Sequence, residues 1–324
     1  MARQSRGGGT ALICGSVAYD TILVFQDRFR SHILPDQLHI LNVSFLVPEM
    51  RREFGGCAAN IAYGLALLGD RGIPMATAGH DFGPYRDRLQ RLGVPVEHIG
   101  VIEDQFTAQA YITTDLDDNQ ITAFHPGAMQ EAHRNRVTDV AGDIALGIVA
   151  PDGRQAMIEH EAQFAAAGIP FIFDPGQGLP MFDAAELRTF IAQATWVAVN
   201  DYEWGMLRQK TGLTAADVMG EVEALIVTRA AEGSVIHAGG RSIEVPCAAP
   251  RAVVDPTGCG DAYRAGLIHG LLRGLDWETT GRVASLMGAI KIESRGPQNH
   301  RFTAAEFAQR YTQNFGDSQP GPFT

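Results

Sequence analysis

The segment "VVDPTGCGDAYRAG", residues 253–266, joins a glycine-rich turn to the start of a helix. Free N–H groups at such a junction bind anions, phosphate above all. Asp261 follows the turn, where a carboxylate can take the proton of a hydroxyl that attacks phosphorus. Gly258, Cys259 and Gly260 would stabilise the charge on the transferred group. The segment therefore predicts phosphoryl transfer, although a lone Gly-Asp turn is more often an ordinary helix cap.

Three more polar motifs follow apolar runs: "FDPGQG" after "FIF", "VNDYE" after "WVAV" and "VTRAAEG" after "ALIV". In open parallel sheets, ligands bind at the carboxyl ends of the strands. Asn200 and Glu203, spaced N-x-x-E, suit a hydrated Mg²⁺ ion. The same two residues could instead be a helix cap, with an asparagine start and a first-turn glutamate.

A second glycine-rich helix start stands in "FGGCAANIAYGLALLG". Gly55 and Gly56 permit close contact with a substrate or a bend in the backbone. Asn60, one turn later, would face the same way, unless it is a surface polar residue on a plain helix. Asp20, just after the first predicted strand, could bind two vicinal hydroxyls, or could be a turn residue.

Composition and motif searches exclude several other classes. Walker A, GxSxG and HExxH are absent, and Tyr263 breaks the pattern GxGxxG. The formal charge of -11 and the pI near 5.3 argue against a broad nucleic-acid surface. No run of 18 apolar residues predicts a membrane span. Residues 1–9 read as a disordered start, and the short apolar run that follows reads as a first buried strand rather than as a signal peptide. Four cysteines without zinc spacing indicate a reducing, cytoplasmic location.

From about residue 140, predicted strands alternate with predicted helices, and these elements must position the motifs. Apolar strands in "IALGIVAP", "IPFIFDPG", "TWVAVND" and "EALIVTRA" alternate with helical segments, and a hairpin in "SVIHAGGRSIEVPC" precedes helices at about 261–274 and 278–292. This pattern predicts an α/β fold with a mainly parallel sheet covered by helices on both faces. We expect one domain over 10–324.

The N-terminal third has a different pattern. "QLHILNVSFLV" reads as a strand, and "FTAQAYITTDLDDNQITAF" reads as a hairpin around its polar turn. We expect segments of about 20–50 and 106–124 to form a small β-sheet that covers the larger domain as a lid.

In their order along the chain, these motifs resemble the signature regions of the ribokinase-like (PfkB) sugar and nucleoside kinases. The similarity runs over roughly residues 11–300, and "ILPDQLHILNVSFLVPEMRREFGGCAANIA" is most similar to the bacterial adenosine kinase branch. The resemblance implies a ribokinase-like core with a β lid. It also implies ATP-dependent phosphorylation of a nucleoside 5′-hydroxyl, converting adenosine to AMP.

The resemblance assigns roles to individual residues. Asp261 would be the base, and residues 258–261 the anion hole. The substrate would be held by Asp20, Gln37, Gly55, Gly56 and Asn60, with Gln37 nearest the nucleobase. ATP would lie along Asn200, Glu203, Thr228 and Gly233, with Mg²⁺ bound through water at Asn200 and Glu203. A monovalent cation such as K⁺ would match Asp255, Ser294 and Gly296.

Two positions depart from the family pattern, and three phenylalanines leave alternatives open. Ala230 replaces a glycine of the nucleotide segment, and Cys259 replaces the commoner alanine. Phe45, Phe106 and Phe124 could cover a purine, clasp the lid of a second subunit or fill a small core. The chain would accordingly be a monomer or a homodimer through the lid.

Two other functions compete with a nucleoside kinase. One is a kinase of the same family that acts on a free sugar such as ribose or fructose. The other is a non-catalytic protein that binds a nucleoside. The apolar segment "LHILNVSFLV" favours a purine over a bare sugar, and the intact Asp261 and its turn favour catalysis.

Overall fold

The computed structural model describes residues 9–33, 42–117, 119–140 and 144–316. Gln37 and the first part of the strand predicted in "QLHILNVSFLV", residues 37–41, lie outside these residues.

A sheet of nine strands forms the centre of the larger part of the molecule. Its spatial order is β13-β12-β11-β10-β9-β8-β1-β4-β5. The bounds are β1 Thr10–Cys14, β4 Arg71–Gly79, β5 Ile99–Ile102, β8 Ile144–Val149, β9 Phe171–Phe173, β10 Trp196–Asn200, β11 Ala224–Thr228, β12 Ser234–Ala238 and β13 Arg241–Val245. In this spatial order, the seven neighbouring strands β11, β10, β9, β8, β1, β4 and β5 all pair in parallel. Strands β12 and β13 extend the sheet with antiparallel pairs at one edge. The predicted parallel sheet and its hairpin are therefore confirmed.

Helices cover both faces of this sheet. They are α1 Cys57–Leu67, α2 Gly83–Arg91, α3 Arg154–Ala167, α4 Ala184–Gln193, α5 Asp201–Thr211, α6 Ala215–Met219, α7 Cys259–Arg273, α8 Trp277–Lys291 and α9 Ala304–Phe315. The side chains of β1 show how the sheet separates two hydrophobic cores. Ile13 points into the core beneath α1, α7 and α8, while Leu12 and Cys14 point into the core beneath α3, α4 and α5. Alternate burial on two faces explains the nearly continuous apolar strands.

The predicted small sheet is confirmed as a separate sheet of four strands, in the order β3-β2-β6-β7, and is called the lid sheet below. Its closure over the larger part of the molecule stays a prediction. Its strands are β2 Ala18–Val24, β3 Glu49–Gly55, β6 Ala108–Thr114 and β7 Gln120–His125. Strands β6 and β7 form the predicted antiparallel hairpin. Strand β2 lies between β3, to which it is antiparallel, and β6, to which it is parallel.

The strand predicted within 37–47 is wrong over the part that the structure describes. Residues 42–47 form no strand, and the lid strand begins at Glu49. The apolar residues before it serve a small aromatic core instead. The Phe45 ring packs against those of Phe25 and Phe29, with centroids 4.8 and 5.1 Å away.

None of the helices in the described ranges is both long and apolar enough to cross a membrane.

Candidate active site

The glycine-rich turn leads directly into α7, as predicted, but the helix begins at Cys259 and its N-cap is Gly258. The interpretation of Asp261 as an ordinary N-cap is therefore wrong, because Asp261 lies inside the first turn. Gly258 has φ +82°, and a Cβ there would lie 2.6 Å from the Cβ of Pro297, so only glycine fits. No side chain caps the helix. The Cys259 N–H donates to the Pro256 carbonyl at 3.1 Å, whereas no acceptor among the described residues faces the N–H groups of Gly260 and Asp261. These two N–H groups therefore remain available to an anion.

Asp261 is a half-buried carboxylate that hydrogen-bonds to the side chains of Asn60 and Cys57. Its Oδ2 accepts a hydrogen bond of 2.8 Å from Nδ2 of Asn60 on α1. Burial outweighs the lowering effect of the Asn60 hydrogen bond and raises the pKa of Asp261 to about 6, while the charges of Asp174 and Arg264 act in opposite directions. A carboxylate in this range is ionised at neutral pH yet can still accept a proton.

Behind Asp261 runs a buried chain of hydrogen bonds that the sequence analysis did not predict. Gln298 Nε2 donates to Asn60 Oδ1 at 2.9 Å and to the Tyr85 hydroxyl at 2.5 Å. The Tyr85 hydroxyl donates in turn to the carbonyl of Gly55 at 2.7 Å. Asn60 thus orients the Asp261 carboxylate, and its predicted contact with a substrate stays a prediction. These hydrogen bonds join Asp261 to Gly55 at the end of the lid strand β3.

Gly55 ends the lid strand β3, and Gly56 is the N-cap of α1, so the two glycines lie where the lid meets the core. Gly56 has φ +92°, and a Cβ there would lie 2.6 Å from backbone atoms of Ser16, Val17 and Ala18. A Cβ on Gly55 would lie 2.7 Å from Oδ2 of Asp20. This position therefore admits only a very small residue beside the carboxylate.

Asp20 is the third residue of β2, rather than a turn residue after the first strand. Burial, together with the negative charges of Asp255 and Glu53, raises the pKa of its carboxyl to about 6. The three carboxylates thus surround the joint between lid and core. An acceptor held there suits hydroxyl donors, and the predicted ribose contact of Asp20 stays a prediction.

Asn200 and Glu203 form a helix cap at the start of α5. Asn200 Oδ1 accepts from the Glu203 N–H, and Glu203 Oε2 accepts from the Asn200 N–H, both at 2.8 Å. The capping interpretation is therefore correct. The cap uses only one carboxylate oxygen of Glu203, Oε2, and so does not exclude a contact between Oε1 and a hydrated Mg²⁺ ion. The magnesium role therefore stays a prediction. Across the described ranges, no group of three His, Cys, Asp or Glu side chains could hold a metal on its own.

Next to this cap is a buried ion pair that the sequence did not reveal. Arg264 on α7 donates from Nε and Nη2 to the two carboxylate oxygens of Asp174, both at 3.0 Å. Burial raises the pKa of Glu203, the charge of Asp174 raises it further, and Arg264 lowers it. The motif "FDPGQG" indicated that Asp174 lies at the end of a strand. Nothing in the sequence indicated that Asp174 pairs with Arg264, 90 residues later.

The predicted nucleotide residues lie at the end of β11 and in the turn after it. Thr228 is the last residue of β11. Gly233 has φ +85°, and a Cβ there would lie only 2.1 Å from the carbonyl oxygen of Val245. Ala230 has φ +47°. Ala230 thus adopts a left-handed conformation that glycine tolerates better than alanine does.

The structure brings together the three residues matched to a monovalent cation, but a lysine donates hydrogen bonds to the carbonyl oxygens of two of them. Asp255 accepts from the N–H groups of Thr257 and Gly296, at 2.9 and 2.8 Å. Lys291 Nζ donates to the carbonyl oxygens of Asp255 and Ser294, at 2.7 and 3.1 Å. The sequence analysis did not identify Lys291.

The lid aromatics divide into two groups. Phe45 fills the small aromatic core, as one alternative proposed. Phe106 and Phe124 are 51% and 53% exposed, so both remain free to contact a ligand or another subunit.

Comparison with known proteins gives a consistent result. Residues 20–303 match the pfkB family of carbohydrate kinases. The chain is 31% identical over 271 residues to a nucleoside kinase of Methanocaldococcus jannaschii, covering 83% of this chain and 89% of that protein. It is also similar to the nucleoside kinase of Burkholderia thailandensis in complex with inosine, with 52% identity, a TM-score of 0.86, and coverage of 95% of this chain and 98% of that one. The ADP-inosine complex of the same kinase gives 54% identity, a TM-score of 0.84, and coverage of 95% and 96%.

Proposed function

The chain belongs to the pfkB family of carbohydrate kinases, and we propose that it transfers the γ-phosphoryl group of ATP to the 5′-hydroxyl of a nucleoside. One observation carries the proposal. The start of α7, which no side chain caps, and the carboxylate of Asp261 lie together. Asn60, Gln298 and Tyr85 link that carboxylate by hydrogen bonds to Gly55, at the end of the lid strand β3. An anion site, a base and a cover are what transfer to a hydroxyl requires.

The residues of the chain divide the reaction between them. Asp261 accepts the proton of the 5′-hydroxyl as its oxygen attacks phosphorus. The N–H groups at 258–261 stabilise the negative charge that develops on the transferred group. Asp20 accepts hydrogen bonds from the ribose hydroxyls and so places the 5′-hydroxyl beside Asp261. Gln37, assigned to the nucleobase, lies outside the described residues.

The residues beside α5 fit a hydrated divalent cation. When bound, ATP and Mg²⁺ supply the phosphoryl group and neutralise part of its charge. Burial and the neighbouring Asp174 raise the pKa of Glu203, so two carboxylates here gain from added positive charge. Glu203 would meet the ion through water, since Mg²⁺ keeps several waters. A K⁺ ion fits poorly at Asp255 and Ser294, because Lys291 already donates to their carbonyls.

We propose adenosine as the first substrate and inosine as the second. The adenosine proposal depends on the resemblance of residues 33–62 to the adenosine kinase branch. Inosine is favoured by a specific observation, since the Burkholderia thailandensis nucleoside kinase, 52% identical to this chain, binds it. The two nucleosides differ at one purine substituent, an amine in adenosine and a carbonyl oxygen in inosine.

An ADP-release assay with ATP and Mg²⁺ tests the proposal. Adenosine, inosine, ribose and fructose are compared, and the Asp261→Asn variant measures the background. The nucleosides should give the highest kcat/KM. Release at the Asp261→Asn level with both nucleosides would refute a nucleoside kinase. A preference for inosine would replace adenosine as the substrate and leave the reaction unchanged.

A further inference from the structure

Lys291, the last residue of α8, is a lysine with no exposed surface. Lysine is almost never fully buried unless its charge has partners. Here the ammonium group donates to two backbone carbonyls, Asp255 O at 2.7 Å and Ser294 O at 3.1 Å. The side chain therefore ends in a site made of carbonyl oxygens.

Carbonyl oxygens of this kind are the ligands that alkali cations take in proteins. They also belong to residues that the family resemblance matched to a monovalent cation. An ammonium group is itself a monovalent cation, and its N–H groups point to the same oxygens. A free ion and the Lys291 ammonium would compete for one place.

We propose that Lys291 is the built-in cation of this protein and replaces the dissociable monovalent ion beside the anion turn. The proposal rests on the proposed kinase function for its catalytic consequence. Its structural content, a site that is already filled and cannot respond to K⁺, stands without that function.

The use of basic residues along the chain supports a specific need for lysine here. The sequence contains 24 arginines and only two lysines, Lys210 and Lys291. Arginine presents a planar fork, whereas lysine presents a compact point charge with three donors around one nitrogen. A small site lined by carbonyl oxygens accepts the second shape and excludes the first.

Lys291 lies between the two loops that shape the anion turn. The Ile292 carbonyl accepts from the N–H groups of Val254 and Asp255, at 2.8 and 3.1 Å. The Asp255 carboxylate then holds Thr257 and Gly296. Removal of the ammonium group would leave two buried carbonyls without this donor, directly before the start of α7.

The charges around Lys291 fit the same role. Burial lowers the pKa of the lysine, while the negative charges of Asp255 and Glu53 and the nearby Cys259 thiol oppose that change. Lys291 in turn lowers the pKa of Cys259, although burial of that thiol dominates and raises it to about 11. The positive charge therefore acts on Cys259, the first residue of α7.

The test compares two substitutions in potassium-free buffer, with tetramethylammonium chloride as the inert salt, and in K⁺. Lys291→Ala opens room for an ion, whereas Lys291→Met fills the same space without charge. We expect wild-type activity to change less than about twofold with K⁺. Both variants should lose roughly 10- to 100-fold in kcat/KM without K⁺, and only Lys291→Ala should regain at least about tenfold of it in K⁺.

Thermal unfolding gives a readout that does not require activity. K⁺ should raise the Tm of Lys291→Ala and leave wild type unchanged, because a ligand stabilises only a protein with a vacant site. Lys210→Ala is the matched control. Lys210 also donates to backbone carbonyls, Pro180 O at 3.0 Å and Phe182 O at 2.6 Å, but far along the chain from the turn. Its variant should show no response to K⁺.

Several results would overturn the proposal. One is wild-type activity or Tm that depends strongly on K⁺. Another is a Lys291→Met variant with full activity. A third is a Lys291→Ala variant that K⁺ fails to stabilise beyond Lys210→Ala, including one that stays unfolded in both salts. Loss of nucleoside phosphorylation by wild type would refute the proposed function alone, because the thermal comparison would still decide the role of Lys291.

Discussion

Asp261 can be tested with a substitution that changes its chemistry but not its shape. In Asp261→Asn, the amide keeps the size of the side chain but cannot accept the hydroxyl proton. Turnover should fall by about 10²- to 10⁴-fold, the usual contribution of a general base. Binding of the nucleoside, measured by calorimetry, should remain. A variant that keeps more than about a tenth of wild-type turnover would remove Asp261 from the role of base.

The pH dependence of kcat/KM should report on two carboxyls. The pKa values of Asp261 and Asp20 are each raised to about 6, and both groups act in the ionised form. Activity is therefore present above pH 6 and lost as the pH falls through 6. Because two protons inactivate the free enzyme, the slope of log kcat/KM against pH should approach two on the acid side.

Asp20→Asn separates these two titrations. The variant should have lower kcat/KM throughout, and its acid slope should fall to one because only Asp261 still titrates. The profile is measured with ADP detection at saturating ATP. A slope of two in the variant would show that Asp20 is not one of the titrating groups.

At the residue scale, the sequence predicted the local motifs but not the contacts between distant segments. Asp261, Gly258 and Gly56 could be recognised because their roles follow from neighbouring residues. Gln298 could not, because its meaning depends on Asn60, 238 positions away. Lys291 escaped prediction for the same reason, since only the fold brings its ammonium group to the Asp255 carbonyl.

At the element scale, the 3₁₀ turn after β11 offers a test of backbone strain. Ala230 holds φ +47°, a conformation that costs an alanine about 1 kcal/mol relative to glycine. Ala230→Gly should therefore raise the Tm by about 2 °C, as measured by thermal unfolding. Ala231→Gly, in the same turn but without a positive φ, should not raise it. Equal effects of the two substitutions would refute a strained Ala230.

Elements differ in how clearly the sequence predicts them. Strands buried on both faces, such as β10 and β11, are continuous apolar runs and can be recognised directly. Strand β3 escapes prediction because its sequence, "EMRREFG", is mostly polar and lies at an edge of the lid sheet. The apolar segment before it has the stronger strand pattern, although Phe45 serves the aromatic core.

At the scale of the whole molecule, the lid presents large apolar side chains to solvent. Met50, Phe106 and Phe124 are between 51% and 70% exposed, and all of β7 is exposed along its free edge. Exposed apolar groups of this kind mark ligand or subunit contacts. A nucleoside beneath the lid and a second lid beside it remain compatible proposals.

Closure of the lid over a nucleoside would protect the lid from proteolysis and would determine which substrates are preferred. The joint at Gly55 and Gly56 can absorb the change in backbone angles, and closure would exclude water from the transfer. Arg30 and Arg51 lie in the lid segments and are trypsin sites. Adenosine should therefore slow tryptic cleavage after them, and ATP alone should slow it much less. The Asp261→Asn variant, which keeps the nucleoside site, should be protected equally.

The same closure predicts that ribose is a poor substrate. An apolar lid gains from covering a purine but gains little from covering a bare sugar. A base that buries on the order of 100 Å² contributes roughly 2.5 kcal/mol at about 25 cal/mol per Å². This free energy corresponds to nearly two decades in kcat/KM, so adenosine should exceed ribose by about that factor. Competition between the two in one assay with ATP measures the ratio directly. Equal kcat/KM for ribose or fructose would favour the sugar kinase and refute the role of the lid in covering a nucleobase.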